Sequence, residues 1–403
     1  MYSKALPDMH PVAGFLLGTT SAGIRKPGRQ DLVVMRLADG SVCAAVFTRN
    51  EFCAAPVVVA REHLTAAAPA CFVINTGNAN AGTGVAGLAA ARASCAAAAA
   101  LADVRPSAVL PFSTGVIGEP LAVERLVAGL PAAFARLTED GWAEAAGGIM
   151  TTDTVPKGAS RRIELDGHAV TITGIAKGAG MIRPDMATML AFVATDAAVD
   201  RDMLQRCLAH AVGRSFNRIT VDGDTSTNDA CVLVATGRST APRLVAGTAN
   251  YERFCAAVTE VCIDLAQAIV RDGEGATRFV TVTVEQGRDG HECLQVAYTI
   301  AHSPLVKTAL FAGDPNWGRI LAAVGRAGIG NLDIAGVDIF LDDVCIVRGG
   351  GRADDYTEAA GQRVLARSEF EIRVTLGRGD SREQVWTCDL SYDYVKINAE
   401  YRT

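Results

Sequence analysis

Lys177-Gly-Ala-Gly-Met-Ile-Arg-Pro-Asp-Met-Ala-Thr-Met-Leu190 runs from a glycine-rich bend into an apolar stretch, Met189-Leu-Ala-Phe-Val193. Gly178 and Gly180 let the backbone turn closely around a neighbour. Pro184 breaks any helix. Thr188 then stands between the small Ala187 and the apolar stretch. On composition alone the commoner reading is an ordinary loop entering a buried strand, with Thr188 as a strand-start residue.

Outward from this segment, strands and helices alternate. Residues 31–36 and 42–48 flank Ala38-Asp39-Gly40-Ser41, a hairpin signal. Residues 161–166 and 168–174 flank Gly167 and predict a second hairpin. Further strand-like runs lie at 56–60, 71–75, 189–195, 230–236, 278–285, 294–299, 337–347, 370–376 and 384–390. Helical patterns cover 86–103, 120–137, 139–147, 199–213, 251–271, 302–311 and 354–367. Mixed, partly antiparallel strands with helices between them imply a layered α/β or α+β protein. Polar, glycine-rich stretches interrupt the pattern, and function tends to lie on such loops. They are Asn75-Thr-Gly-Asn-Ala-Asn-Ala-Gly82, Ser113-Thr-Gly-Val-Ile-Gly118, Met150-Thr-Thr-Asp-Thr154, Asp222-Gly-Asp-Thr-Ser-Thr-Asn-Asp229, Asp272-Gly-Glu-Gly275, Gly313-Asp-Pro-Asn-Trp-Gly318 and the tail from Lys396 to Thr403.

The 403 residues suffice for a large buried core. Hydrophobic residues make up 49% and charged residues 20%, a globular composition. Lys plus Arg is 38 against 44 Asp plus Glu, a net charge of −6, which gives no general attraction to nucleic acid. The N-terminus lacks a basic-then-apolar secretory pattern. The apolar region 89–102 is interrupted by Arg92, Ser94 and Cys95, which predicts a buried or half-buried helix rather than a membrane span. Eleven scattered cysteines without CxxC spacing suit a reducing cytoplasm. Cys207 and His210 have helical spacing, but no second pair completes a metal site.

Two stretches imitate other functions. Gly82-Thr-Gly-Val-Ala-Gly87 matches GxGxxG, with Asp103 following at a dinucleotide-fold distance. The polar residues Thr76–Ala81 separate it from the preceding strand, so a helix-entry loop is the better reading. The carboxylates of Asp222–Asp229 could hold Mg²⁺. They lack EF-hand spacing, and a loop of Asx and Ser/Thr turns is the commoner explanation. A nucleotide-dependent enzyme is the function class these two stretches would support.

The segment 177–190 resembles the self-cleavage motif of the ornithine acetyltransferase family, bifunctional glutamate N-acetyltransferases and amino-acid acetyltransferases. The resemblance covers essentially the whole chain. Its marks come in order: Asn75–Gly84, Ser113–Gly118, Met150–Thr154, Lys177–Leu190, Ser215–Asn228, Asp272–Gly275, Ser303–Thr308, Gly313–Arg319 and Ile397–Thr403. It implies a multilayer αββα sandwich with mixed sheets. It also implies scission between Ala187 and Thr188, giving chains 1–187 and 188–403 assembled as α₂β₂. Thr188 becomes the nucleophile, and its new α-amine the base that a weakly nucleophilic hydroxyl requires. An amine titrating near ~8 can shuttle a proton at neutral pH. By the same resemblance Thr114 and Gly115 form the oxyanion hole. Thr151, Lys177, Thr188, Glu274, Asn398 and Thr403 bind substrate, with Thr152 a neighbour able to replace Thr151. The implied reaction moves acetyl from N2-acetyl-L-ornithine to L-glutamate, in the cytoplasm, without metal or cofactor. No residue decides whether acetyl-CoA also donates. A self-cleaving hydrolase (amidase or peptidase), or a relative acting on a secondary-metabolite substrate, is the other class compatible with these marks. Asp185 departs from the family pattern, which usually carries Asn there.

Overall fold

The structure, a computed structural model, describes residues 5–25, 28–183 and 189–400. The chain divides into two compact units. The larger takes residues up to Asn217 together with Asp224–Ile269; the smaller takes Arg218–Gly223 and residues from Val270 onward.

Two sheets build the larger unit among the described residues. The first has the order β1-β2-β4-β5: β1 (Phe15–Thr20), β2 (Leu32–Leu37), β4 (Cys71–Asn78) and β5 (Val109–Val116). The second has the order β3-β9-β8-β7-β6: β3 (Val42–Phe47), β9 (Ala230–Ala235), β8 (Leu190–Thr195), β7 (His168–Lys177) and β6 (Lys157–Leu165). β4 and β5 pair parallel, as do β8 and β9; the remaining pairs are antiparallel.

Period-2 alternation splits each strand of the first sheet between two cores. Phe15, Leu17, Val33, Met35, Phe72, Ile74, Leu110 and Phe112 point one way and meet Ile175, Leu190, Phe192, Val232 and Val234 of the second sheet. Leu32, Val34, Val73 and Val109 point the other way and meet helices α2 (Gly84–Ala102) and α3 (Val123–Phe134). Beyond the second sheet, α5 (Arg201–Arg214) packs on β3 and β9. Val261 and Leu265 of α6 (Ala249–Arg271) pack over Gly174 of β7. The larger unit is therefore an α–β–β–α sandwich with mixed sheets. Each fully buried Phe or Leu contributes about 1.5–3 kcal/mol.

By length and composition α2 could cross a bilayer. Here its stripe Gly87, Ala91, Ser94, Cys95, Ala98, Ala99 and Ala102 is buried, and it packs against α3, β5 and α1 (Ala55–Ala66). The short helix α4 (Trp142–Gly148) anchors on Trp142, which stacks on Phe15 at 5.3 Å.

The smaller unit holds a sheet of order β13-β12-β11-β14-β10-β15. Its strands are β10 (Phe279–Gly287), β11 (Asp338–Leu341), β12 (Val344–Arg348), β13 (Gly351–Arg352), β14 (Glu369–Thr375) and β15 (Ser381–Cys388). Helices α7 (Gly290–Ala301), α8 (Pro304–Ala312), α9 (Trp317–Gly325) and α10 (Glu358–Leu365) share its core, and α11 (Tyr392–Ala399) ends the described chain.

The structure corrects several sequence expectations. The turn after β2 forms, with Ser41 N–H on the Ala38 carbonyl, but β2 and β3 do not pair: they enter different sheets. Residues 56–60 form helix α1, not a strand. Pro56 occupies its first turn, where no N–H is needed, and burial of Val57, Val59 and Ala60 outweighs the β-branched preference. Residues 294–299 lie inside α7, started by the Asp289 side chain accepting from Glu292 N–H. α9 and α11 also form where only loop and tail are expected.

Candidate active site

The C-terminal end of β5 carries Thr114 and Gly115, both inside the strand rather than in a turn after it. Gly115 has φ +136°, and a Cβ there would lie 2.3 Å from the Gly77 carbonyl carbon. β4 and β5 pass so close at this irregular register that only glycine fits. A polar lattice fixes the two strand ends. Ser113 Oγ donates to Asn75 Oδ1 at 2.5 Å, and Asn75 Nδ2 donates to the Asn78 carbonyl at 2.9 Å. Asn228 Nδ2 donates to the carbonyls of Ala79 and Ser113 at 2.7 and 2.8 Å.

Lys177 is the last residue of β7 and pairs across the ladder with Leu190 of β8. Its side chain is buried, and Nζ donates to Thr114 Oγ1 at 3.2 Å. With its oxygen so occupied, the Thr114 hydroxyl keeps its own proton to give elsewhere.

Asp153 ties together the backbones around this contact. Its Oδ1 accepts from Lys157 Nζ at 2.6 Å and from Gly178 N–H at 2.7 Å. Its Oδ2 accepts from Thr151 N–H at 2.9 Å. Burial pushes this carboxyl up, but Lys157, Lys177 and the Thr151 N–H outweigh it and hold Asp153 well below the usual carboxylate range. Thr151 is half-buried, and its carbonyl receives Arg29 at 3.2 Å. Asp229, just before β9, is buried too. Its Oδ1 accepts the Met189 N–H at 2.8 Å, while Oδ2 has no hydrogen-bond partner among the described residues. Burial pushes its carboxyl well above the usual range, and the Met189 N–H and Lys177 offset this only in part. The larger unit thus brings two aspartic acids into the field of Lys177, one pushed toward its ionised form and the other toward its protonated form.

In the smaller unit, Glu274 follows α6 in the turn Asp272–Gly275. Its Oε2 accepts from Asn398 Nδ2 of α11 at 2.9 Å. Asn398 also donates to the Tyr394 carbonyl at 3.0 Å, which fixes its orientation. Ala187, Thr188, Asp185 and Thr403 lie outside the described residues.

The GxGxxG stretch closes on itself. Thr83 Oγ1 donates to Asn80 Oδ1 at 2.9 Å, and Asn80 Nδ2 donates to the Gly87 carbonyl at 2.9 Å. β4 reaches Asn78, so the glycines begin several residues beyond the strand end.

The ArgJ family profile matches residues 16–403. The chain belongs to the ArgJ family. It is 59% identical over 399 residues to the arginine biosynthesis bifunctional protein ArgJ of Pseudomonas fluorescens (strain Pf0-1), covering 99% of this chain and 98% of that one. It is 61% identical over 393 residues to the protein of the same name from Methylococcus capsulatus, covering 98% and 96%. The crystal structure of ArgJ from Bacillus halodurans superposes with a TM-score of 0.50 at 39% identity, over 52% of this chain and 97% of that chain. As an ArgJ family member the chain is an enzyme, an acyltransferase.

Sequence reasoning missed Asp153, Lys157 and Asp229. The first lay within a loop already singled out, Met150–Thr154. The last ended the stretch read as turns or a Mg²⁺ loop. Neither position announced its burial.

Proposed function

We propose that this enzyme transfers acetyl from N2-acetyl-L-ornithine to L-glutamate through acetyl-Thr188, after cutting its own chain between Ala187 and Thr188. The observation that supports this best is the buried Lys177–Thr114 contact beside Gly115, in a chain matching ArgJ proteins along nearly its whole length. Scission converts the Thr188 amide nitrogen into an amine near its own hydroxyl. The amine takes the hydroxyl proton, Thr188 Oγ attacks the acetyl carbonyl, and ornithine leaves with that proton. Thr114 O–H and Gly115 N–H stabilise the oxyanion. Lys177 fixes the Thr114 hydroxyl and brings positive charge to the site. Glutamate then takes the acetyl group, in a ping-pong order. Thr151, Glu274, Asn398 and Thr403 are the remaining substrate-binding groups in this reading, Glu274 for the ornithine ammonium. Chains 1–187 and 188–403 assemble as α₂β₂ in the cytoplasm, without cofactor, and acetyl-CoA is tested as a second donor.

Intact mass under denaturing conditions tests the scission: two fragments, the second beginning at Thr188, are expected. An active, cleaved Thr188→Ala protein would overturn the nucleophile. Ornithine release from N-acetylornithine that needs glutamate marks a transferase; equal release without glutamate marks a hydrolase.

A further inference from the structure

The chain's cysteines are all free, and every one except Cys53, Cys255 and Cys345 is buried. Cys53 donates to the Asn50 carbonyl at 2.8 Å and its sulfur accepts from Arg61 Nη1 at 3.6 Å, while Cys345 donates to the Val347 carbonyl at 3.3 Å. Cys255, on α6, has a second cysteine beside it. Its thiol lies within hydrogen-bonding reach of that of Cys207, on the neighbouring α5. The Tyr251 hydroxyl, which donates to the Met203 carbonyl at 2.8 Å, also reaches the Cys255 sulfur. Both cysteines line an open groove of about 410 Å³ with Arg206, His210, Tyr251 and Glu252. The hydrogen bond from Cys207 holds the Cys255 thiol below its ordinary range, against partial burial, and the same bond pushes Cys207 up. Cys231 and Cys262 also interact but are both enclosed, so no reagent reaches them.

We propose that Cys255 and Cys207 form a redox-active pair, with Cys255 the peroxide-reactive thiol and Cys207 the resolving one. A thiolate that is both stabilised and accessible is the oxidation-prone kind. The Cys255 thiolate attacks one oxygen of hydrogen peroxide and the O–O bond breaks. This gives the Cys255 sulfenic acid and hydroxide, which protonates to water. The Cys207 sulfur then attacks the Cys255 sulfur. An S–S bond forms, the S–O bond breaks, and water leaves carrying the Cys207 proton. Two thiols are oxidised and one peroxide is reduced. The disulfide would join α5 to α6 on the side of the larger unit formed by these two helices.

Two measurements on the full-length enzyme test this, and neither depends on its substrate. At pH 7, iodoacetamide should label Cys255, which opens onto the groove, several-fold faster than Cys53 and Cys345. Hydrogen peroxide should then yield a peptide pair joining Cys207 and Cys255, 2 Da lighter by the loss of two hydrogens and restored by dithiothreitol. Cys207→Ser should abolish that link and leave a sulfenic acid at Cys255 that dimedone traps. Cys255→Ser, at a half-exposed position that tolerates the change, should remove peroxide reactivity from the pair while leaving Cys207 unmodified. Equal labelling of the three half-buried thiols, or peroxide acting first on Cys53 or Cys345, would overturn the proposal.

Discussion

Asp153 and Asp229 carry the same side chain and are pushed in opposite directions, Asp153 toward its ionised form and Asp229 toward its protonated one. Asp153 gathers hydrogen bonds from a buried lysine and two backbone N–H groups; Asp229 accepts from the Met189 N–H, and its Oδ2 has no partner among the described residues. Removing the charge of Asp153 leaves Lys157 buried beside a neutral group. Asp153→Asn should therefore cost about 3–5 kcal/mol, read from the urea midpoint. The two acids also bend the stability profile in opposite senses. An unfolded Asp titrates near ~4. Asp153 releases its proton more readily when folded, so its contribution is present above about pH 4 and is lost as pH falls toward its depressed native value. Asp229 keeps in the fold a proton that the unfolded chain releases, so its contribution declines as pH rises above about 4. Asp229→Asn, which mimics the neutral acid, should flatten that decline above about pH 4 in pH-dependent unfolding experiments. At the chemistry itself, Thr114→Ala should lower kcat by about 10²–10³ with little change in the unfolding midpoint. Retained kcat would remove Thr114 from the oxyanion hole.

At the level of elements, the hairpin 157–177 was legible because Gly167 sits between two alternating runs that pair residue for residue. The strand β8 was legible for a different reason: it is a short, unbroken apolar run, and the structure buries all of it. The turn at Ala38–Ser41 was equally legible as a turn and misleading as a hairpin. A turn fixes chain direction, and whether the flanking strands then pair depends on sheets assembled from residues up to 235. The run Pro56–Ala60 shows propensity yielding to burial. Lys177 and Thr114 could be named from motifs, but their contact links residues 63 apart, and Asp153's grip on Gly178 was invisible because ion-pair partners leave no local pattern. The two sheets of the larger unit meet on Phe72, Phe112 and Phe192, with ring centroids of Phe112 and Phe192 5.1 Å apart. Phe192→Ala should cost about 3–5 kcal/mol, the transfer term plus the cavity left behind, by calorimetry or denaturant unfolding. A loss under 1 kcal/mol would mean the sheets can close over the gap.

For the molecule as a whole, the order of the second sheet matters most. β8 and β9 lie between β3 on one side and β7 on the other. Scission at residue 187 would place β3, β6 and β7 on one fragment and β8 and β9 on the other. The fragments would stay joined by two complete strand ladders, β3 with β9 and β7 with β8. Size-exclusion chromatography in high salt should therefore elute both fragments in one peak, since ladder hydrogen bonds and apolar cores are not screened by ions. Separation should need urea or detergent. Two peaks in native buffer would contradict the sheet order.

The same interleaving sets a timetable for synthesis. Residues near 42 must wait for residues near 235 before their edge is paired, a long-range closure of the kind that slows folding. Until then a growing chain on the ribosome carries two open strand edges, those of β3 and β7, which invite pairing with another nascent chain. Early arrest of translation, or separate expression of residues 1–187, would hand those edges to aggregation.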